Sequence, residues 1–388
     1  MNVHAPAARS VTAAAQIDAF DPAPAAALRA ALAEAMGDDA PALVLVFASP
    51  AADFDTLARA IPEQFPGSPV ALCTTAGEIG PRGYAEESIV AFALDPAHFS
   101  AEIVRIAPLS APGCAVPDSP VAATRAALAA RRPDLPEEFA FVLVDGLSGR
   151  EDALMSSLGP ALGHIPIFGG SAGDGGAFAR TLLGHEGEVL ADAALLCIVR
   201  TDCPVRVFTL DHFEPTGRRL VVTDADPDTR TVRTFNSEPA AREYARLLGL
   251  GVGDLGPPIF ALRPLVVRLG ERHHVRSIQS MDESGALRFF SAIDEGLVLT
   301  LSEAGDLGSH LAQQLDRIAA PVPPLAILAC DCVFRKLEAE QHQAGARVSD
   351  LLSRAKVIGF STYGEQIGSL HVNQTMTGAA FYPPGTVL

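Results

Sequence analysis

The sequence has no tryptophan and only 4 tyrosines, and aromatic residues fill 6% of its 388 positions. Surfaces that stack nucleic-acid bases interleave such rings with Lys and Arg, and no Lys/Arg run of that kind occurs. Positive charge is scarce as well: 29 Lys and Arg stand against 46 Asp and Glu, a formal net charge of −17. That field repels phosphate backbones and anionic lipid, so neither nucleic acid nor a membrane surface is an expected partner. The longest apolar runs, ALVLVF (42–47) and AALLCIV (193–199), fall far below the roughly 18–20 residues a bilayer span needs. The Ala-rich start, residues 1–38, lacks the compact apolar core behind a basic stretch that marks a signal peptide. It reads as a tail, carrying His4, that runs into a helix near Ala25–Met36. None of the six cysteines (73, 114, 197, 203, 330, 332) forms a CxxC pair, which argues against zinc ribbons and secreted disulfide scaffolds. The expected location is a reducing cytoplasm.

Apolar residues, in contrast, are plentiful: 48% of the chain is hydrophobic and 19% charged, enough for a large core in two domains. One pattern occurs three times. ALVLVFASPAADFDTLARAIPEQFPGSPVALCTTAGE ends at Glu78, and EFAFVLVDGLSGREDALMSSLGPALGHIPIFGGSAGD ends at Asp174. The third copy begins with PLAILACDCVFRKLEAEQ at Pro324 and closes with RAKVIGFSTYGE at Glu365. Each reads as a buried strand, a capped helix, a second strand and a small-residue turn, which is a βαβ unit. Ser49 before Pro50 reads as a helix cap, and Ser148 with Glu151 as a capping box. The expected fold is α/β, in two lobes built from repeated βαβ-type units with mixed sheets.

The three turns share the form [Thr/Ser]-x-Gly-[Glu/Asp] at strand ends, where α/β sheets gather ligands. Glycine admits close backbone approach, while the hydroxyl and carboxylate supply donors and acceptors. The candidate ligand-binding residues are Thr75, Gly77 and Glu78, then Gly170, Ser171, Gly173 and Asp174, then Thr362, Gly364, Glu365 and the nearby Asn373. For a single copy, a turn glycine with a closing hydroxyl explains as much; three copies favour one shared pocket. GGSAG (169–173) also matches a nucleophile elbow formally, though DGGAFARTLL starts no convincing helix after it, so a serine hydrolase is the weaker alternative.

At these residues the chain resembles the FIST-domain sensory proteins. CTTAGEIGPRGYAEESIVAFAL and IFGGSAGD are similar to the N-terminal FIST blocks, and HFEPTGRRLVVTDAD, EPAAREYARLLG, RPLVVRLG, VRSIQSM and GFSTYGEQ…HVNQTMTG to the C-terminal ones. SGRED, GGSAGD, EPAAREYARL, CDC-FR-LE and YGEQ-HVNQT look closest to the nitric-oxide-sensing subgroup. The resemblance implies an N-terminal FIST domain over 39–203 and a C-terminal one over 204–388, no catalysis, and small-ligand sensing. The subgroup further implies haem b, nitric oxide as signal and a histidine kinase as partner. One departure stands out: Arg263-Pro264-Leu265 occupies a place where many FIST chains carry His-Pro-Leu.

For a haem, His371 ranks first as axial ligand, because Asn373, Gln374 and Thr375 follow it and can orient an imidazole. His212 ranks second, with Cys332 as a thiolate outsider. Arg335 suits a propionate or carboxylate, or else pairs with Glu338 or Glu340. Tyr363, with Phe47, Phe168 and Phe360, offers ring surface. Adjacent His273 and His274 point opposite ways in a strand and do not chelate together. Without haem, an amino acid held by Ser361, Thr362 and Glu365 is the alternative.

Overall fold

The computed structural model describes residues 10–111, 118–269 and 272–388; His4 and Cys114 lie outside them, as does the tip of the hairpin that bears His273 and His274. The repeated pattern is a larger unit than βαβ. In the first unit it runs β1 (Thr12–Asp18), α1 (Pro24–Met36), β2 (Leu43–Ala48), α2 (Phe54–Gln64) and β3 (Val70–Thr74). A hairpin, β4 (Glu78–Gly80) and β5 (Gly83–Ala85), follows, and then a return strand, β6 (Ser88–Leu94). The second unit repeats this as β7 (Phe99–Ile106), α3 (Asp118–Arg131), β8 (Glu137–Val144), α4 (Glu151–Leu162) and β9 (Ile167–Ser171). Its hairpin is β10 (Leu183–His185) with β11 (Glu188–Leu190), and its return strand β12 (Ala194–Thr201).

The third unit opens with β13 (Val205–Leu210) and is then interrupted by an inserted lobe. The insert comprises β14 (Phe213–Asp226), β15 (Thr231–Phe235), β16 (Glu238–Pro239), α5 (Ala240–Leu248), α6 (Pro257–Leu262), β17 (Leu265–Leu269), β18 (Arg272–Arg276), β19 (Ile278–Met281), β20 (Leu287–Phe289) and β21 (Val298–Ala304). The unit resumes with α7 (Leu307–Ala319), β22 (Ala326–Cys332), α8 (Val333–Gln341), α9 (Gly345–Arg354) and β23 (Val357–Thr362). It ends with the hairpin β24 (Glu365–Ile367) and β25 (Leu370–Val372) and the return strand β26 (Met376–Phe381). The fold is thus α/β with mixed sheets: the two inner strands of each unit run parallel, and the return strand pairs antiparallel with the first of them.

Each unit's hairpin leaves its own sheet. β4 pairs with β23 of the third unit, β10 with β3 of the first, and β24 with β9 of the second, so the exchange closes into a ring. Three six-stranded sheets result, all with the same order of edge, return, first inner, second inner and borrowed hairpin. Their inner faces share one core, in which Phe47, Phe92, Phe99, Phe141, Phe168, Phe360 and Phe381 are buried together with Cys73, Cys197 and Cys330. The outer faces pack separate apolar layers against α1 and α2, against α3 and α4, and against α7 and α9. The inserted sheet has its own core around Phe235, Tyr244, Phe260 and Phe289.

Two expected caps fall elsewhere. α2 begins at Phe54, where Asp53 accepts from Thr56 N at 3.1 Å, because Ser49 and Pro50 are used in a preceding turn. α4 has no side-chain cap: Glu151 points to Arg230 of the insert (2.9 Å) rather than back to Ser148. A local signal yields there to a tertiary ion pair.

The pairing of β8 with β9 brings Gly169 against Val142, where an added Cβ would stand 2.0 Å from the Val142 carbonyl oxygen. The obstacle is backbone, so it cannot give way as a side-chain tip would. Gly169→Ala should therefore cost more than the roughly 1–3 kcal/mol of ordinary overpacking, while Gly253→Ala, with open space around it, should stay within about 0.5 kcal/mol of wild type. Thermal melts of the two variants check this; equal melting temperatures would refute the close approach.

Candidate ligand site

The three small-residue turns meet and hydrogen-bond in a circle. Ala76 N donates to Ser361 O (2.9 Å) and Ser361 N to Gly77 O (2.7 Å); Ser171 N donates to Gly364 O (2.8 Å) and Tyr363 N to Ser171 O (3.3 Å). Gly173 N and Gly175 N close the circle on Thr74 O and Thr75 O, both at 3.0 Å. The expected gathering of turns is real, but its glycines make room for protein. A Cβ on Gly173 would stand 2.7 Å from Ala76 N, and one on Gly170 2.6 Å from Thr362 Cγ2. Gly77 holds φ +130, a conformation side chains rarely adopt.

Strand register corrects the alignment of the copies. Phe360 pairs with Glu78, Gly170 with Glu365 and Cys73 with Leu183. Ser171 therefore matches Thr74 and Ser361, and the place of Glu78 and Glu365 is taken in the second copy by Leu183, after an extra loop over 174–182. In the first copy Thr75 Oγ1 donates to Glu78, whose other oxygen accepts from Ser88 Oγ at 2.8 Å. In the third, Thr362 Oγ1 donates to Glu365, which accepts from Thr375 N (3.1 Å) and Oγ1 (2.9 Å). The second copy has Ala172, Leu183 and Ala193 at the three equivalent places. Replacing every partner by apolar groups leaves no orphaned donor, which is why such a swap costs little. These buried Thr–Glu pairs tie each turn to its return strand, with their oxygens turned to protein partners. Asp174 goes to the extra loop instead, accepting from the backbone N–H groups of Phe178, Ala179 and Arg180 and from Tyr363 Oη. The Tyr363 ring stacks on Phe178 with centroids 4.3 Å apart.

Unsatisfied polar groups lie one strand further on. Gln366 and His371 face each other across β24 and β25, and alternation points both inward while Ile367, Leu370 and Val372 line an outer cleft. Gln366 Nε2 donates to Ser171 Oγ (2.9 Å) and contacts His371 Nδ1 (3.3 Å), leaving Gln366 Oε1 without a protein partner. Asn373 accepts from Ser291 through Oδ1, while its Nδ2 is unpartnered. From the insert, Ser277 Oγ and Arg276 Nε are likewise buried and unpartnered. Burial lowers the pKa of His371; the charges of Asp152 and Glu151 oppose that shift, and those of Arg230 and Arg276 reinforce it. Arg230 binds Glu151 and Asp152 (2.9 and 3.2 Å) at the start of α4. Three parts of the chain thus converge on one imidazole: the third hairpin, the head of α4 and the inserted lobe.

Sequence reasoning named His371 and Asn373 as candidates and passed over Gln366, Ser277, Ser291, Arg276, Arg230 and Asp152. Several of these sit inside the blocks YGEQ, VRSIQSM and SGRED, which carried the family resemblance without being assigned a role.

The haem ligands expected from sequence do not fit as they stand. A Cβ on Gly364 would lie 2.2 Å from His371 Cε1 and 2.9 Å from Nε2, so backbone occupies the side an iron would need. His212 Nε2 binds both oxygens of Glu338 (2.8 and 2.9 Å), and its Nδ1 faces Arg335 Nη1 at 3.1 Å. A guanidinium only donates, so Nδ1 accepts and the ring proton lies on Nε2. Arg335 pairs with Asp331 at 2.6 Å and neither with Glu340 nor with a surface anion. Burial pushes the Cys332 thiol well above its usual range, against a thiolate. The cleft outside β25, about 690 Å³, is lined by His273 and His274, which the sequence had set aside, with Asp211 and Phe213. The elbow reading also fails on geometry: the Gln366 amide stands between Ser171 and His371, and a loop, not a helix, follows Ser171.

A family model described as the FIST N domain matches residues 42–238, and one described as the FIST C domain matches residues 240–368. An uncharacterized protein of Methanocaldococcus jannaschii is 25% identical over 284 residues, covering 64% of this chain and 55% of that protein. The chain thus spans little more than half the length of that relative.

Burial pushes the Glu365 carboxyl up to about 8, against the opposing hydrogen bonds from Thr362 and Thr375. A raised native value means the folded state holds the proton more tightly than the unfolded chain. The resulting stability is complete below the unfolded carboxyl range and is lost as pH rises from about 4.5 through about 8. Glu365→Gln keeps the shape without the titrating proton, so its stability, followed as melting temperature against pH, should gain on wild type across that window, by on the order of 5 kcal/mol at the limit. Parallel pH profiles for the two proteins would refute the assignment.

Proposed function

The chain belongs to the FIST family, and from that premise we propose that it is a signal-transduction sensor that encloses a small polar ligand around His371. The observation that carries this reading is the set of buried, unpartnered atoms there: Gln366 Oε1, Asn373 Nδ2, Ser277 Oγ and Arg276 Nε. Each such group costs about 1–3 kcal/mol if left unsatisfied, whereas in the turn ring the Thr–Glu pairs are satisfied and Ser361 Oγ is left unpartnered. The set offers donors, a guanidinium among them, beside an amide acceptor, which suits a ligand with a carboxylate and an amine, such as an amino acid. Arg276 takes the carboxylate in this reading and Gln366 Oε1 the ammonium. Because hairpin, helix and inserted lobe all contribute, binding ties the lobe to the body, and that change is what a partner such as a histidine kinase reads. The haem and nitric-oxide version rests on resemblance to the sensing subgroup and requires the β24–β25 hairpin to move off His371.

The test is a thermal-shift screen with free amino acids, run beside an absorption spectrum of haemin-reconstituted protein. A matching amino acid at a hundredfold excess over its Kd should stabilise the fold by about 2.7 kcal/mol, with the shift lost in Asn373→Ala and Arg276→Lys. A Soret band that moves with nitric oxide, without any amino-acid shift, would overturn the polar-ligand reading in favour of haem. Silence in both assays would sink both.

A further inference from the structure

A second cluster lies far from the turn ring, where the second unit hands the chain to the third. The segment entering β7 and the segment leaving β12 meet there, bringing together His98, Asp202 and Cys203. His98 Nδ1 lies 3.0 and 3.1 Å from the two carboxylate oxygens of Asp202, and Cys203 Sγ lies 3.7 Å from the nearer one. Among the described residues these three offer ligand atoms that all fall within 4.8 Å of one another. We propose that His98, Asp202 and Cys203 form a binding site for one divalent transition-metal ion of the zinc class.

The geometry fits the ion. Bonds of about 2.0–2.3 Å at tetrahedral angles separate ligand atoms by roughly 3.3–3.7 Å; the His98–Asp202 and Asp202–Cys203 separations are 3.0 and 3.7 Å, and the three atoms all lie within 4.8 Å. The donor set of one imidazole, one carboxylate and one thiolate selects zinc or cobalt over magnesium or calcium, which prefer oxygen alone. Burial pushes the Cys203 thiol up to about 12, so the ion must displace its proton on binding; the thiolate and carboxylate then together neutralise the dication. The backbone holds the ligands in place: Asp202 N donates to His98 O (3.4 Å), His98 N to Asp95 O (3.1 Å), and Cys203 N to Thr201 Oγ1 (2.9 Å). Cys203 is fully buried while the His98 and Asp202 side chains are about one-third exposed, so the fourth position opens to water. Arg132, whose charge interacts with that of Asp202, has its guanidinium committed to Asp134, Pro96 O and Ala97 O. A bound ion would clamp the segment before β7 to the connection between β12 and β13.

Cobalt titration of the full-length, chelator-treated protein tests this site directly. The expected result is one equivalent bound, with a thiolate-to-cobalt charge-transfer band and tetrahedral d–d absorption, reversed by zinc. Cys203→Ser should abolish the charge-transfer band. His98→Gln alters a side chain that is about one-third exposed, and should weaken zinc binding by at least about 100-fold, more than loss of an outer-shell partner. No charge-transfer band in wild type, or a band that survives both substitutions, would overturn the site and leave an ordinary Asp–His hydrogen bond.

Discussion

An unpaired strand edge is the constraint on which the rest of this structure depends. The second inner strand of each unit has a free side, and buried N–H and C=O groups there must find partners. Each edge is closed by a hairpin from another unit: β23 by β4, β3 by β10 and β9 by β24. Each hairpin leaves from the end of a second inner strand, so closing three edges in a cycle forces the three departure points together. The ring of turns is thus a geometric result of edge closure, and its glycines are required wherever one backbone crosses another.

The same ring separates groups that are paired within the fold from groups left without a full set of protein partners. The Thr75–Glu78–Ser88 and Thr362–Glu365–Thr375 sets are internally paired, and in the second copy all three places have become apolar at once. The third hairpin carries a different set outward from the ring: Gln366 and His371, which contact each other, and Asn373, whose partner Ser291 comes from the inserted lobe. Without that insertion Asn373 would lose Ser291. The lobe therefore turns one corner of a near-symmetric scaffold into a distinct environment.

The repeat itself was legible because buried inner strands are continuous apolar runs and the helices between them are long. The helix expected near Ala25–Met36 was legible as well, and runs over Pro24–Met36. The exchange was not: the borrowed strands have three residues each, too few to show a period, and β4 finds its partner almost at the other end of the chain. Ser171 and Asp174 were matched to Thr75 and Glu78 by residue type, and only register shows the slip of one position and the intruding loop. His371 stood out by its run of amide neighbours, whereas Arg276, Ser277 and Asp152 are remote in sequence and converge only in space. His212 was noticed, yet Glu338 and Arg335, which occupy both its nitrogens, lie on α8, beyond any local pattern.

The cyclic exchange also orders events during synthesis. As the chain leaves the ribosome, β3 receives β10 soon after both have emerged, so the first sheet can finish early. β9 must wait for β24, almost two hundred residues later, and the first hairpin, β4–β5, stays without a host strand until β23 appears. Long-range strand pairing is slow and leaves edges open to other chains in the meantime. The nascent chain therefore carries an unclaimed hairpin, β4–β5, and an uncovered edge, β9, until β23 and β24 are made, and termination before them yields a chain that can satisfy neither.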